Sequence, residues 1–322
     1  MKKYLSIFGL WFCQMLTFAS VVTLAKDRIV VAQDGSGDYR TVQTAINAVP
    51  DHSTRTITIF IKKGTYKEKI TLPEAKTNVT LVGESRDETI ITYDDFASKP
   101  DSAGKNIGTS GSSSFFVYGN DFTAVNLTFQ NSAGPVGQAV AMRVTGTRAY
   151  FQNCRFLGFQ DTLYTHGFGT VELYRGCYIE GTVDFIFGAA TAWFEDCSIF
   201  CKRGGGYISA AATPDTVKYG YVFYNCHISG DVPAHSVYLG RPWRPYAKTV
   251  YIQCDLGDRI IPAAWMEWSN KDNKATTYYA RYNNKGDKEL SPPTWTHMLT
   301  DKEAKQYQRA QVLGDWDPRF IK

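Results

Sequence analysis

Two aspartates stand at the same offset behind two cysteines: Asp161 follows Cys154 by seven residues, and Asp184 follows Cys177 by seven. Each lies among apolar and aromatic neighbours, in GFQDTLY (158–164) and GTVDFIFG (181–188), where an ionised carboxylate needs a partner. Arginine is the natural one, because its planar fork matches a carboxylate. If the aspartates occupy adjacent turns of a repeating fold, they stack about 5 Å apart, the spacing of paired strands. At an effective dielectric of about 20, two charges that close repel by roughly 3 kcal/mol. One aspartate then keeps its proton while the other stays ionised, giving an acid and a nucleophile from one residue type. That pair suits attack on a carbonyl carbon with protonation of the leaving group.

Other chemistries find less support. His166, His227, His235 and His297 have no cysteine or carboxylate at metal-ligand spacing, so neither a metal nor a cofactor is expected. The sequence has no GxSxG nucleophile elbow. GTSGSSS (108–114) lacks the lysine of a phosphate loop and reads, with the rest of 99–114, as a flexible loop.

The elements that must hold the aspartates are legible around the cysteines. Five share an aromatic residue three positions before and a large apolar residue two after: Phe151–Cys154–Phe156, Tyr174–Cys177–Ile179, Phe194–Cys197–Ile199, Phe223–Cys226–Ile228 and Tyr251–Cys254–Leu256. Phe122–Val125–Leu127 reads as a sixth copy with Val125 in the cysteine column. Each copy alternates apolar and polar residues, as a strand with one buried face does. Recurrence every 20 to 29 residues predicts a solenoid, and its strand-only character an all-β parallel β-helix. The cysteines would form an interior ladder of small buried apolar groups. Rung spacing also lies within the Cα range of a disulfide, and Cys177 with Cys197 is the pair that could close one.

The ends differ from the middle. Apolar residues at 42, 45, 46 and 49 make a helical stripe stopped by Pro50, which predicts an N-terminal capping helix. After Leu290 the chain is irregular, with a helix expected around 301–313 as a C-terminal cap. Residues 26–322 read as a single domain. Lys2 and Lys3, the soft apolar run to Leu24 and the small residues at Thr23 and Ala25 predict an export signal over 1–25. Its removal leaves 33 basic and 31 acidic residues, a charge of +2 that excludes recognition of nucleic acid by charge alone. No later segment is apolar enough to span a membrane. A soluble monomer in the periplasm or outside the cell is expected.

QAVAMR (138–143), GFQDTLY (158–164), DFIFG (184–188) and LGRPW (239–243) together resemble the signature blocks of the pectin methylesterases, carbohydrate esterase family 8. DGSGDYRTVQTAI (34–46) and GTYKE (64–68) are similar to that family's opening, so the likeness runs from about 28 to 317. The resemblance implies a right-handed single-stranded parallel β-helix that hydrolyses C6 methyl esters of polygalacturonate, the homogalacturonan of pectin, to pectate and methanol. It implies Asp184 as nucleophile, Asp161 as general acid and then base, and Gln138 and Gln160 as the oxyanion hole. Arg241 would pair with Asp184, and Trp243 would lie under a sugar ring. Tyr164, Phe187, Val183 and Trp265 are candidate sugar contacts, with core packing an equal alternative for each. A pectate lyase, a polygalacturonase or an acyl-thioesterase on the same scaffold is the competing enzyme reading. A catalytically silent carbohydrate-binding solenoid is the third, and it would have no use for an inward aspartate pair.

Overall fold

The computed structural model describes residues 28–268 and 272–318. Short strands wind into three parallel sheets, each central turn of chain adding one strand to each while the end turns extend only the first. One sheet has eleven strands, from Arg28–Val31 through Ala149–Gln152, Val171–Arg175 and Thr191–Glu195 to His297–Met298. A second has seven, from Gly64–Lys67 to His227–Gly230. The third, which carries the site, runs Ile70–Leu72, Phe115–Val117, Met142–Val144, Leu163–Thr165, Val183–Gly188, Tyr207–Ala211 and Tyr238–Gly240. This is the right-handed β-helix, the hand that parallel crossovers adopt. Among the described residues no helix is long and apolar enough to cross a membrane. The expected export segment and Cys13 lie outside the described residues.

The repeat follows from side-chain columns inside the coil. Phe151, Tyr174, Phe194, Phe223 and Tyr251 stack ring on ring, with centroids 4.8, 4.8, 4.6 and 4.3 Å apart and planes within 12° of parallel. Strand pairing sets that spacing, and offset aromatic stacking adds about 1 kcal/mol per pair beyond burial. Between this column and the cysteines the chain turns a corner in left-handed backbone. Asn126, Asn153, Gly176, Asp196, Asn225, Gln253 and Asn283 take φ between 49° and 59° there. Asparagine tolerates this region best among residues with a Cβ, which explains its recurrence.

Two expectations need correcting. Val125 is not in the cysteine column: Ala124 pairs with Phe151 and Val125 with Gln152, so Leu127 lies beside Cys154. A two-residue slip keeps the apolar and polar faces intact, so alternation alone cannot detect it. Nor is there a Cys177–Cys197 disulfide, since all six described cysteines are free and buried. In-register side chains point the same way and keep their Cβ atoms near the rung spacing, wider than the ~3.8 Å a disulfide needs. Each ladder thiol instead donates to the carbonyl at the aromatic position one turn back. Cys154, Cys177, Cys197, Cys226 and Cys254 reach Ala124, Phe151, Tyr174, Phe194 and Phe223 at 3.3–3.4 Å. Asn284 ends the column with the same bond, its Nδ2 donating to the Tyr251 carbonyl at 3.1 Å.

The caps are helical but short. Val42–Asn47 buries Val42, Ala45 and Ile46 over the first turn, N-capped by Thr41. The expected C-terminal helix is two, Asp301–Ala304 with a Thr300–Glu303 capping box and Arg309–Leu313, which packs against the eleven-stranded sheet.

Candidate active site

The site sheet carries both aspartates in its outer surface. Leu163 pairs with Ile186, which by counting back two residues sets Asp161 beside Asp184 on successive turns. Both take left-handed backbone, φ 65° and 49°, unusual for residues with a Cβ and frequent where function fixes the chain. A register shift between Val183 and Ile186 inserts one extra residue against the 207–211 strand, a bulge at the nucleophile candidate. The Asp161 N–H donates to the Val183 carbonyl at 3.1 Å and ties the two turns together.

Arg241 enters from two turns further on, just past the Tyr238–Gly240 strand. Its Nε donates to Asp184 Oδ1 at 2.9 Å and its Nη2 to Oδ2 at 2.7 Å. The guanidinium is itself held between rings, 3.9 Å from the centre of Tyr207 and 4.3 Å from that of Trp268. Asp161 has no such partner among the described residues.

The environments separate the two acids. Burial raises the Asp161 pKa well above the ordinary carboxylate value, and the neighbouring Asp184 charge raises it further. Burial also raises that of Asp184, but the Arg241 hydrogen bonds and charge oppose the rise. These environments favour the proton on Asp161 and the charge on Asp184.

Gln138 and Gln160 form a parallel bridge on adjacent turns beside Asp161. Their backbones are engaged: Ala97 N–H donates to the Gln138 carbonyl at 2.8 Å and Ala139 N–H to that of Gln160 at 3.1 Å. Their side-chain amides make no hydrogen bond to another described residue, which leaves them open to a ligand. Both line a cleft of about 380 Å³ with Asp161, Asp184, Arg241 and Trp243. Tyr164 and Phe187 stack 4.1 Å apart along its edge, and Trp243 meets both edge-on at 6.4 and 5.8 Å.

Two sequence candidates fall elsewhere. Trp265 is 1% exposed and packs inside the coil against Tyr251 and Tyr279. Trp268, three residues on, lines the cleft in its place. Val183 is half-buried and is not among the residues that line the cleft; its carbonyl accepts from the Asp161 N–H. The sequence reading also missed Thr109 and Ser110, which form a wall of the cleft. Their stretch is not a loose loop: it forms a short helix at Gly108–Gly111, and Ser112–Ser114 are fully buried. Lys69 and Lys99 converge on Asp95 at 2.5 and 2.7 Å, and Lys69 also holds the Gly111 carbonyl at 2.8 Å. Lys69, 42 residues before Gly111, thus ties the segment down from outside it, which its Gly and Ser content could not show.

A family model described as Pectinesterase matches residues 28–315. The chain is 40% identical over 289 residues to Pectinesterase 31 of Arabidopsis thaliana, covering 87% of this chain and 90% of that protein. It is 37% identical over 321 residues to the probable pectinesterase/pectinesterase inhibitor 13 of the same plant, covering 94% of this chain and 51% of that protein, and so spans about half that relative's length. Among solved structures it is similar to pectin methylesterase from carrot, with a TM-score of 0.80 and 35% identity over 88% of this chain and 92% of that one.

Proposed function

This chain belongs to the pectinesterase family, and we propose that Asp184 is its nucleophile and Asp161 its general acid and base. The protein is a carboxylic ester hydrolase that removes methyl groups from methyl-esterified homogalacturonan. The observation that carries the assignment of roles is the unequal charge environment of the pair, with Arg241 forked onto Asp184 alone.

In the first step an Asp184 oxygen attacks the C6 carbonyl carbon of a galacturonate ester. The carbonyl oxygen becomes an anion that the free amides of Gln138 and Gln160 stabilise, each such donor contributing about 3 kcal/mol at the transition state. The bond from C6 to methoxide breaks as Asp161 gives up its proton, and methanol leaves. Water then attacks the acyl carbon while the Asp161 carboxylate takes its proton. The bond to Asp184 breaks, which restores the Asp184 carboxylate and leaves a C6 carboxylic acid whose proton passes to solvent as the galacturonate departs. Arg241 keeps Asp184 ionised at the start and receives its charge back at the end. The Tyr164, Phe187 and Trp243 faces support the sugar rings on either side of the ester.

In this reading residues 1–25 direct export, and the mature enzyme works as a monomer outside the cytoplasm. The basic start, apolar run and small-residue exit support that. Sequencing the N-terminus of the exported protein tests it, and retention of Met1 would reject it.

The test of function is methanol release from highly methylated pectin at constant chain length, abolished in an Asp184→Asn variant that keeps its fold. Unsaturated ends or rapid loss of viscosity would instead show chain cleavage.

A further inference from the structure

The sulfur atoms of the described residues fall into two groups. All six cysteines and Met142 are buried, whereas Met266 and Met298 are 37% and 53% exposed. Neither exposed methionine lines the catalytic cleft, but Met266 is tied to it by two hydrogen bonds. Its thioether sulfur accepts from the Tyr207 hydroxyl at 2.8 Å. Its backbone N–H donates at 3.2 Å to the carbonyl of Gly240, the residue before Arg241. The Tyr207 ring centre lies 3.9 Å from the Arg241 guanidinium carbon, and the ring stacks on Tyr238, with centroids 5.3 Å apart and planes 10° from parallel. The sulfur therefore holds one edge of the ring that backs the arginine forked onto Asp184.

A thioether sulfur has two lone pairs. One accepts the Tyr207 hydroxyl, and the other is open to an oxidant at this exposed side chain. With hydrogen peroxide, that lone pair forms a bond to one peroxide oxygen as the O–O bond breaks. The departing hydroxide takes up the remaining peroxide proton and leaves as water, so sulfur loses two electrons and the peroxide gains them. The product is a polar, chiral sulfoxide. Its oxygen, a full bond length beyond the sulfur, becomes the acceptor that the Tyr207 hydroxyl must meet, and the ring moves with it. The buried, protonated thiols of the ladder do not compete for the oxidant.

We propose that Met266 is an oxidation site that sets the rate of ester hydrolysis: forming its sulfoxide displaces Tyr207 beneath Arg241 and loosens the hold on Asp184. Met266 acts as a positioning residue, and the proposal rests on the pectinesterase reading of the cleft. A misplacement of about 1 Å can cost up to about a hundredfold in rate. Trp268, 4.3 Å from the same guanidinium, keeps part of the support in place. A fall in kcat/KM of about three- to tenfold is therefore expected.

The experiment treats the enzyme with dilute hydrogen peroxide and follows kcat/KM on methylated pectin alongside peptide masses. Wild type should gain one oxygen on Met266 and slow by that factor, with the acid limb of its pH profile moving upward as Asp184 loses support. Met266→Leu should keep its own untreated rate through the treatment, whereas Met298→Leu should lose activity as wild type does. A methionine sulfoxide reductase supplied with a thiol reductant should restore the wild-type rate, which oxidised tryptophan would not allow. Complete oxidation of Met266 with kcat/KM unchanged overturns the inference and leaves the esterase intact. So does a loss that persists in Met266→Leu or resists the reductase, or a Met266 that stays reduced while Met298 is oxidised. If Met266→Leu does not fold, the masses and the reductase decide on wild type alone. Absence of methanol from untreated wild type would overturn the pectinesterase reading as well.

Discussion

Arg241 and Asp184, 57 residues apart in sequence, meet through two parallel hydrogen bonds of 2.9 and 2.7 Å on a site sheet wound from successive turns. The pair is half enclosed, with the Arg241 side chain 20% exposed and that of Asp184 8%. Removing one partner of such a pair leaves the other charge poorly compensated, and a buried aspartate responds by taking a proton. Arg241→Ala should therefore lower kcat by about a thousandfold, and Arg241→Lys, a point charge without the fork, by about tenfold or more. Stopped assays of methanol release read both. Near-normal turnover in Arg241→Ala would show that the guanidinium does not sustain the nucleophile.

In the proposed mechanism the rate needs Asp184 ionised and Asp161 protonated. Both pKa values are raised, that of Asp161 further, so kcat/KM should be bell-shaped. The acid limb should lie above the ordinary aspartate value, and loss of the Asp161 proton should set the alkaline limb. Asp161→Asn should reduce the rate by roughly 10²- to 10⁴-fold and abolish that alkaline limb. An alkaline limb unaltered in this variant would assign it to another group.

Trp265 and Trp268 should separate stability from turnover. Trp265 is buried in the coil, so Trp265→Ala should cost about 3–5 kcal/mol in a denaturation experiment. Trp268 lies over Arg241 in the cleft, so Trp268→Ala should lower kcat/KM at little cost in stability. The reverse pattern would contradict the placement of both rings.

The thiol ladder should be silent to redox reagents. Burial pushes the thiols of Cys154, Cys177, Cys197 and Cys226 well above the ordinary range, so they stay protonated and unreactive. Reductant should leave the melting temperature unchanged, and alkylation should require unfolding. A reductant-sensitive transition would reveal a disulfide.

Glu172 carries a different pH dependence. It is fully buried in the coil, accepts a 2.5 Å hydrogen bond from the Tyr174 hydroxyl, and burial raises its pKa from 4.5 to about 8. The folded state thus binds a proton that the unfolded chain releases above 4.5. The associated stability is complete below pH 4.5 and is lost as pH rises to about 8, on the order of 5 kcal/mol in all. Glu172→Gln should flatten that slope in melting curves taken from pH 5 to 9. A wild-type slope that persists in the variant would place its origin elsewhere.

The sequence by itself determined the solenoid and its chemistry. Aromatic, corner and cysteine positions recur because each turn must repeat the same buried columns, so Phe151, Cys154 and their successors announced the rungs before any coordinates. The shared seven-residue offset placed Asp161 and Asp184 on neighbouring turns, since paired strands carry equal counts forward. Three things lay beyond it. The rung at Ala124–Leu127 was decided by backbone pairing, because a two-residue slip leaves alternation unchanged. The choice of Trp268 over Trp265 as cleft residue was decided by packing, since Trp265 is taken up inside the coil by Tyr251 and Tyr279 while Trp268 lies over Arg241. The wall at Thr109 and Ser110 was decided by Lys69 reaching Asp95 and the Gly111 carbonyl, 26 and 42 residues away, contacts that no local pattern links. Periodicity fixes what every turn shares, whereas loops and cross-turn ion pairs are made once and exist only in three dimensions.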